Sequence, residues 1–355
     1  MEFALGDDQL ALQGSIREFL ADRYPVERVA EIADGAGWDP ASWREVAELG
    51  WTGISAPEAD GGLGMGFLEE MIAFEQLGRA VFPGPFFSSV ALALPALAGA
   101  PDLRKAVIGG DRAATLAGAG EDPRDLTVRA EGERLRGASM FVPDLGSCDL
   151  VVVAASGDDG PSLWSVDRDG EGVSWEELPT VDTTRRLGRI ELEAAPARLL
   201  AAGEEAAGLL DGIRDRALAS LAAEAVGVAS AALDRSVQYA GSREQFGRPI
   251  GVYQAVSHGL ADAYVEVESA RSLAYWAGWA VAGGADEAST AAAAAKAHAS
   301  EAAVDACERA IQVHGGIGFT WEHPLHRYYR RALWIAAFMG GPAHHRERVA
   351  AAVLD

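Results

Sequence analysis

The order in which helix-like and strand-like patterns follow one another most constrains what this chain can become. Apolar residues recur at helical spacing from residue 3 to about residue 110. Short β-rich runs, apolar or alternating, take over from about 112 to 200, separated by Gly, Asp and Pro. Long helical segments return from about 203 to the end. A doubly wound α/β fold would interleave the two patterns. The block order predicts an α+β multidomain chain instead. It has an N-terminal helical domain over residues 1–111, a middle antiparallel β-domain or small barrel over 112–202, and a C-terminal four-helix bundle over 203–355.

Within the first block, Leu10, Ile16, Phe19 and Leu20 form one stripe, and Trp43, Val46, Ala47 and Leu49 another. Asp39 is placed to cap the second helix, with Pro40 as its first residue. A glycine-rich loop spans 57–66, and a third helix from Phe67 to Leu77 should end at Gly78. In the middle block, strands are expected over 126–130, 150–154 and 162–166. In the last block, helices are expected over 204–241, 253–283 and 286–314, with a shorter pair after Pro324 and Pro342. The alanine run within 286–314 favours helix and lets neighbours approach closely.

Thirty basic residues face 53 acidic ones, a net charge of −23. That excess argues against nucleic-acid phosphate and against anionic membrane surfaces, both of which need clustered cations. An anionic cofactor could still bind through a few local cations and backbone N–H groups. Cys148 and Cys307 lack metal spacing and lie among apolar residues, so buried free thiols in a reducing compartment are expected. The first residues carry no basic and apolar leader pattern, and the most apolar stretch, 88–100, is short and broken by Pro95. A cytoplasmic protein is the expectation. His323 and His326 flank Pro324, and His344 and His345 are adjacent, with no carboxylate or Cys completing a set, so no metal site is expected. No nucleophile elbow occurs. The loop at 61–66 lacks dinucleotide-binding spacing.

Two strings stand out. Residues 243–254 read Arg-Glu-Gln-Phe-Gly-Arg-Pro-Ile-Gly-Val-Tyr-Gln and join two long helices. An arginine, an aromatic residue and a glycine at such a junction could hold a pyrophosphate and stack a planar group, or could form an ordinary salt-bridged connector. Residues 310–319 read Ala-Ile-Gln-Val-His-Gly-Gly-Ile-Gly-Phe, where the glycines permit close backbone approach to a ligand or simply cap a helix. Together they resemble the acyl-CoA dehydrogenase family, with its Arg-x-x-Phe-Gly…Gln signature and its later Gln-x-x-Gly-Gly-x-Gly-Phe and arginine-rich helix. Glu48-Leu-Gly-Trp51, the Pro57–Gly64 loop, Phe74–Arg79 and Pro83–Phe86 extend the likeness in the expected order over nearly the whole chain.

The resemblance implies FAD-dependent α,β-desaturation of an acyl-CoA or acyl-carrier thioester, with electrons passing on to an electron-transfer flavoprotein. It implies a flavin shared across a subunit interface of a dimer or tetramer, its ADP portion held by the neighbouring bundle. Carried over, Arg243 contacts the pyrophosphate and Phe246 packs on the FAD. Gln254, Gln312, Gly315 and Gly316 line the ADP portion. Arg330 is expected to pair with acidic groups of the bundle.

The family's catalytic glutamate, kept in register from Gln312 through Glu322, Pro324 and Arg330, falls on Met339. The alternative base position on the first long bundle helix falls on Ala217. No catalytic residue is therefore assigned. The family's flavin-cradling Thr-Glu-Pro string has no match in residues 115–123, and Pro143, in the second cradling string, has no N–H to donate. An α2β2 arrangement explains both departures, in which a second acyl-CoA dehydrogenase subunit carries the base and this chain completes the ADP site. Such pairs are associated with bulky acyl-CoA substrates, including steroid side chains. A self-sufficient homo-oligomer using Glu224, two turns beyond Ala217, is one rival, set against a merely partnered or solvated Glu224. A non-enzymatic assembly protein is the other.

Overall fold

The computed structural model describes residues 4–120, 126–157 and 160–354. Glu121, Asp122 and Pro123, part of the string compared with the family's flavin cradle, lie outside the described residues, as do Asp158 and Asp159. The chain forms two compact units. One gathers Met1–Ala30, Met71–Phe82 and Leu218–Asp355, the other Glu31–Glu70 and Pro83–Ala217.

Helices open the chain: α1 (Asp7–Arg23), α2 (Val26–Asp34), α3 (Pro40–Glu48), α4 (Phe67–Ala80), α5 (Leu94–Ala96) and α6 (Pro101–Ile108), with a π-helical stretch over Phe87–Ala93 leading into α5. Asp39 caps α3 by accepting the Ala41 N–H at 3.0 Å, and Pro40 sits in the first turn where its missing N–H costs nothing. The apolar stripes are narrower than their spacing suggests. Ile16, Leu20, Trp43 and Val46 are buried, but Leu10 and Leu49 are exposed. Leu49 lies just past the end of α3.

Gly78 does not end its helix; α4 runs through it to Ala80. A Cβ on Gly78 would lie 2.2 Å from the Glu224 carbonyl oxygen, and one on Gly227 would lie 1.9 Å from the Glu75 carbonyl oxygen. These glycines let two helices cross backbone to backbone, so Gly78 is a packing glycine rather than a cap.

The middle of the chain builds an eight-stranded sheet from β1 (Ala114–Ala117), β2 (Val128–Glu131), β3 (Arg134–Pro143), β4 (Leu150–Gly157), β5 (Gly160–Asp167), β6 (Val173–Leu178), β7 (Leu187–Pro196) and β8 (Arg198–Ala202). The strand order is β6-β7-β3-β2-β4-β5-β8, with β1 also beside β4. Pairings β2–β3, β3–β7, β4–β5, β5–β8 and β6–β7 are antiparallel, as expected. β1 and β2 instead run parallel to β4, so the sheet is mixed. Alternation reports which face a side chain takes, not the direction of the neighbouring strand. Val128, Leu135, Val151, Val153, Trp164, Ile190 and Leu192 pack as its core.

The last block holds α7 (Gly203–Ser242), a small hairpin β9 (Glu244–Gln245) and β10 (Arg248–Pro249), then α8 (Gln254–Gly283), α9 (Ala288–His314), α10 (Leu325–Ala337) and α11 (Pro342–Leu354). The stretch long and apolar enough to cross a membrane is in α7 rather than at 88–100, and 94% of its apolar window is buried inside the protein. Apolar length here serves a core helix. Among the bundle residues, Glu224 and Arg331 form an ion pair in which both side chains are 1% exposed, and Arg331 Nη2 also donates to the Phe82 carbonyl at 3.3 Å. Cys148 and Cys307 are buried free thiols.

Candidate cofactor site at one end of the bundle

Beyond α7 the chain doubles back. The Arg243 N–H donates to the Tyr239 carbonyl at 2.8 Å, and the Arg243 carbonyl accepts the Ile250 N–H at 2.8 Å, closing the hairpin. Its two turn residues, Phe246 and Gly247, have φ of 53° and 75°. Two left-handed residues match the tight hairpin turn whose twist suits the flanking strands. Glycine adopts this conformation freely, whereas an aromatic residue is strained in it. The Phe246 ring is 93% exposed and meets the edge of Tyr253, with centroids 6.4 Å apart. Tyr253 braces the hairpin: its hydroxyl donates to the Gln245 carbonyl at 3.1 Å, and the Arg248 guanidinium lies 4.8 Å above its ring.

Three helix ends meet beside this hairpin. The Tyr239 ring, near the end of α7, stacks on His314 at the end of α9 with centroids 4.3 Å apart, and His314 lies 4.6 Å from His323. Near the start of α8, a Cβ on Gly259 would lie 2.5 Å from Arg309 Nη1, so the first turns of α8 lie against the last turns of α9. Gly315, with φ of 62°, ends α9 and begins a 3-10 turn over Gly315–Phe319. Arg243, Phe246, Gln254, Gln312, Gly315 and Gly316 are thus gathered at one end of the bundle.

Their pairing state leaves polar groups available at this end. Among the described residues Arg243 has no ion pair, although the chain carries an excess of carboxylates. Gln254 and Gln312 are exposed, and their side-chain amides make no hydrogen bond among the described residues. A Cβ on Gly315 or Gly316 would meet nothing within 4 Å, so the backbone of this turn can be approached closely. Val252, Ile317, Phe319 and Trp321 are exposed alongside at 53%, 48%, 76% and 67%. Apolar side chains grouped in this way mark a surface that another molecule covers. An unpaired cation, free amides, an exposed aromatic plane and an open glycine turn fit the phosphate, ribose and base groups of a nucleotide.

Sequence reading alone gave no role to Tyr239, His314, His323, Phe319 or Trp321. The Tyr239–His314 stack joins residues 75 positions apart, which no local pattern links. Burial holds both the His314 and the His323 imidazole below their ordinary value, with Arg235 acting in the same direction on each. The expected acidic partner of Arg330 is replaced by the Trp321 ring, 4.4 Å from its guanidinium. The buried pairing falls to Arg331, the next residue and on another face of α10.

The positions inferred for a catalytic carboxylate carry none. Met339 lies between α10 and α11 with φ of 59°, and Ala217 is fully buried within α7. Glu224 is partnered, its carboxylate held by Arg331. In the sheet, Phe141 is 60% exposed with φ of 57° at the register shift between Ser139 and Val142. The Pro143 carbonyl is used internally, accepting the Thr115 hydroxyl at 2.6 Å.

Two family models match: acyl-CoA dehydrogenase, N-terminal domain, over residues 6–108, and acyl-CoA dehydrogenase, C-terminal domain, over residues 215–354. The acyl-CoA dehydrogenase IpdE2 of Mycobacterium tuberculosis is 34% identical over 333 residues, 92% of this chain and 91% of the relative. Among solved structures, the Tcur3481-Tcur3483 steroid ACAD G363A variant superposes with a TM-score of 0.89 at 34% identity, covering 99% of both chains. The ChsE4-ChsE5 complex from Mycobacterium tuberculosis superposes with a TM-score of 0.91 at 30% identity, covering 100% of this chain and 99% of the other. With both of its terminal regions matched and a relative this similar over nearly its whole length, the chain belongs to the acyl-CoA dehydrogenase family.

Proposed function

We propose that this chain is the ADP-binding, base-lacking subunit of a heteromeric, FAD-dependent acyl-CoA dehydrogenase. A second subunit of the same family supplies the catalytic carboxylate and the contacts to the flavin ring. The contrast between two side chains carries the proposal. Arg243, at the nucleotide-like end, has no acidic partner among the described residues, whereas Glu224, the one carboxylate considered as a relocated base, is held by Arg331. The solved relatives described as ChsE4-ChsE5 and Tcur3481-Tcur3483 carry paired names, which support the two-subunit reading. The description of one as a steroid enzyme supports a bulky acyl thioester as substrate.

In this reading Arg243 neutralises the pyrophosphate, Phe246 packs on the cofactor, and Gln254 and Gln312 hydrogen-bond the ADP portion. Gly315 and Gly316 keep side chains out of its path. FAD held by these residues would supply a hydride acceptor for the hydrogen leaving the β-carbon. No residue of this chain is assigned the removal of the α-proton.

The decisive experiment is expression alone and together with a candidate partner, followed by FAD content and acyl-CoA desaturation. FAD and turnover are expected only in the co-expressed complex. A yellow, active homo-oligomer would show that the chain supplies its own base, and FAD missing from every preparation would favour an assembly role. In the complex, Arg243→Ala should weaken FAD retention by about 1.5–3 kcal/mol, the usual worth of a hydrogen bond to a charged group. Equilibrium dialysis against free FAD measures it, and unchanged retention would remove Arg243 from the site. Phe246→Gly separates binding from folding. It relieves a left-handed aromatic residue, so stability should stay level or rise by roughly 1 kcal/mol while FAD retention falls. A loss of stability with normal FAD content would make Phe246 structural.

A further inference from the structure

The unit formed by Glu31–Glu70 and Pro83–Ala217 holds a part-open cavity of about 110 Å³. Its wall includes Ser55, Glu70 on α4, Val90 and Leu94 on the π-helical stretch and α5, Arg104 on α6 and Arg216 on α7. At a share of roughly 30 Å³ per water, it has room for several waters or one small ligand.

The polar groups around it are half used. Glu70 is 1% exposed, and one of its oxygens, Oε2, accepts from the Ser55 hydroxyl at 2.5 Å and from Arg216 Nη2. Its other oxygen, Oε1, is buried with no hydrogen-bond partner in the protein. Arg216 Nη2 also reaches Ser55 Oγ at 2.6 Å, and the guanidinium lies over the Phe67 ring at 4.3 Å, yet its Nε–H is buried without a partner. Arg104 repeats the pattern: Nη1 donates to Asp60 at 2.8 Å, while Nε is buried without a partner. Buried polar atoms are nearly always hydrogen-bonded, and three exceptions on residues lining one cavity define a complementary pattern. Two N–H donors ask for acceptor oxygens, and one carboxylate oxygen asks for a donor.

We propose that this cavity binds a small oxyacid carrying both acceptor oxygens and an O–H group, of the size of hydrogencarbonate, dihydrogen phosphate or a two-carbon hydroxycarboxylate. The acceptor oxygens take the Nε–H groups of Arg104 and Arg216, and the O–H donates to Glu70 Oε1. Asp60 and Glu70 balance the two guanidinium groups, so the ligand is selected by its hydrogen-bond pattern rather than by charge alone. Burial holds the Glu70 carboxyl above its ordinary range despite Arg216 and Ser55. A proton donor brought to Oε1 stabilises it in that setting. The site lies on residues other than those assigned to the nucleotide, so it stands independently of the proposed cofactor role.

The test is calorimetric titration of the intact protein, or of its complex, in low-salt buffer at pH 7. The probes are sodium hydrogencarbonate, sodium phosphate and sodium glycolate, with acetate and chloride as controls that accept but do not donate. Saturable binding of at least one hydroxyl-bearing probe, about tenfold tighter than acetate, is expected. Glu70→Gln should invert that preference. The Ser55 and Arg216 donors hold the amide oxygen at the Oε2 position, which turns the amide NH2 toward the ligand and makes an acceptor the better partner. Arg104→Lys keeps the charge but removes Nε, and should weaken the preferred probe about tenfold even if Glu70→Gln does not fold. No saturable binding, equal binding of all anions, or an unchanged preference in a folded Glu70→Gln protein would each overturn the proposal and leave the cavity to water.

Discussion

Glu224→Ala will destabilise the protein by about 3–5 kcal/mol, the cost of breaking a buried ion pair by removing one partner. Arg331 is 1% exposed, and it also donates to the Phe82 carbonyl at 3.3 Å, a neutral dipole that cannot replace a carboxylate. Replacing both residues, as Glu224→Met with Arg331→Met, should recover most of the loss, because a well-packed apolar pair carries no desolvation penalty. Urea unfolding of the two variants against the parent measures both effects. The result bears on function as well as folding. A relocated catalytic base must be free to take a proton from substrate, and a carboxylate whose removal costs this much stability is committed to the bundle. If Glu224→Ala folded normally and abolished turnover in the complex, Glu224 would regain its candidacy as the base.

Where the sequence could be read depended on the range of the interaction. The limits of α7, α8 and α9 follow from apolar periodicity, and the cap on α3 from two adjacent residues, Asp39 and Pro40. Gly78 reads as a helix cap in the sequence because the reason for it lies on another helix, at the Glu224 carbonyl. The hairpin at 244–249 carried no turn signal: Phe-Gly stands where Asn-Gly or Asp-Gly would announce one. Arg330 and Arg331 are neighbours whose fates differ by one step around α10, and that step is decided by where Glu224 and Trp321 lie in space. The parallel pairings of β1 and β2 with β4 are likewise silent in a local pattern. The residues proposed to meet the nucleotide were legible as two strings, whereas the Tyr239–His314 stack that brings two of their helix ends together was not.

Lys296→Met will raise stability at neutral pH and remove a pH dependence that the parent should show. Lys296 lies on α9 with no exposed surface, and its Nζ donates to the Gly340 carbonyl at 3.3 Å. No carboxylate among the described residues pairs with it. His345 is buried beside it, pushed down to about 4 by burial and by the charges of Lys296, Arg348 and His344. Burial lowers the Lys296 amine from about 10.5 to about 7. Between those two values the unfolded chain holds a proton that the folded protein does not, so stability rises with pH from about 7 to about 10. The slope approaches ~1.4 kcal/mol per pH unit, and the penalty remaining at pH 7 is roughly 4 kcal/mol. Methionine keeps the unbranched stem and removes the ammonium, giving back part of that penalty less about 1 kcal/mol for the lost bond to Gly340. Burial raises the Cys148 and Cys307 thiols and the Tyr275 phenol, which act in the opposite direction at alkaline pH, so the difference between the two proteins isolates the lysine. Parallel pH profiles for parent and variant would mean that Lys296 stays charged in the fold. A converging pair would mean that a neutral amine secures the turn carrying Met339, the position that register counting from Gln312 matches to the family's base.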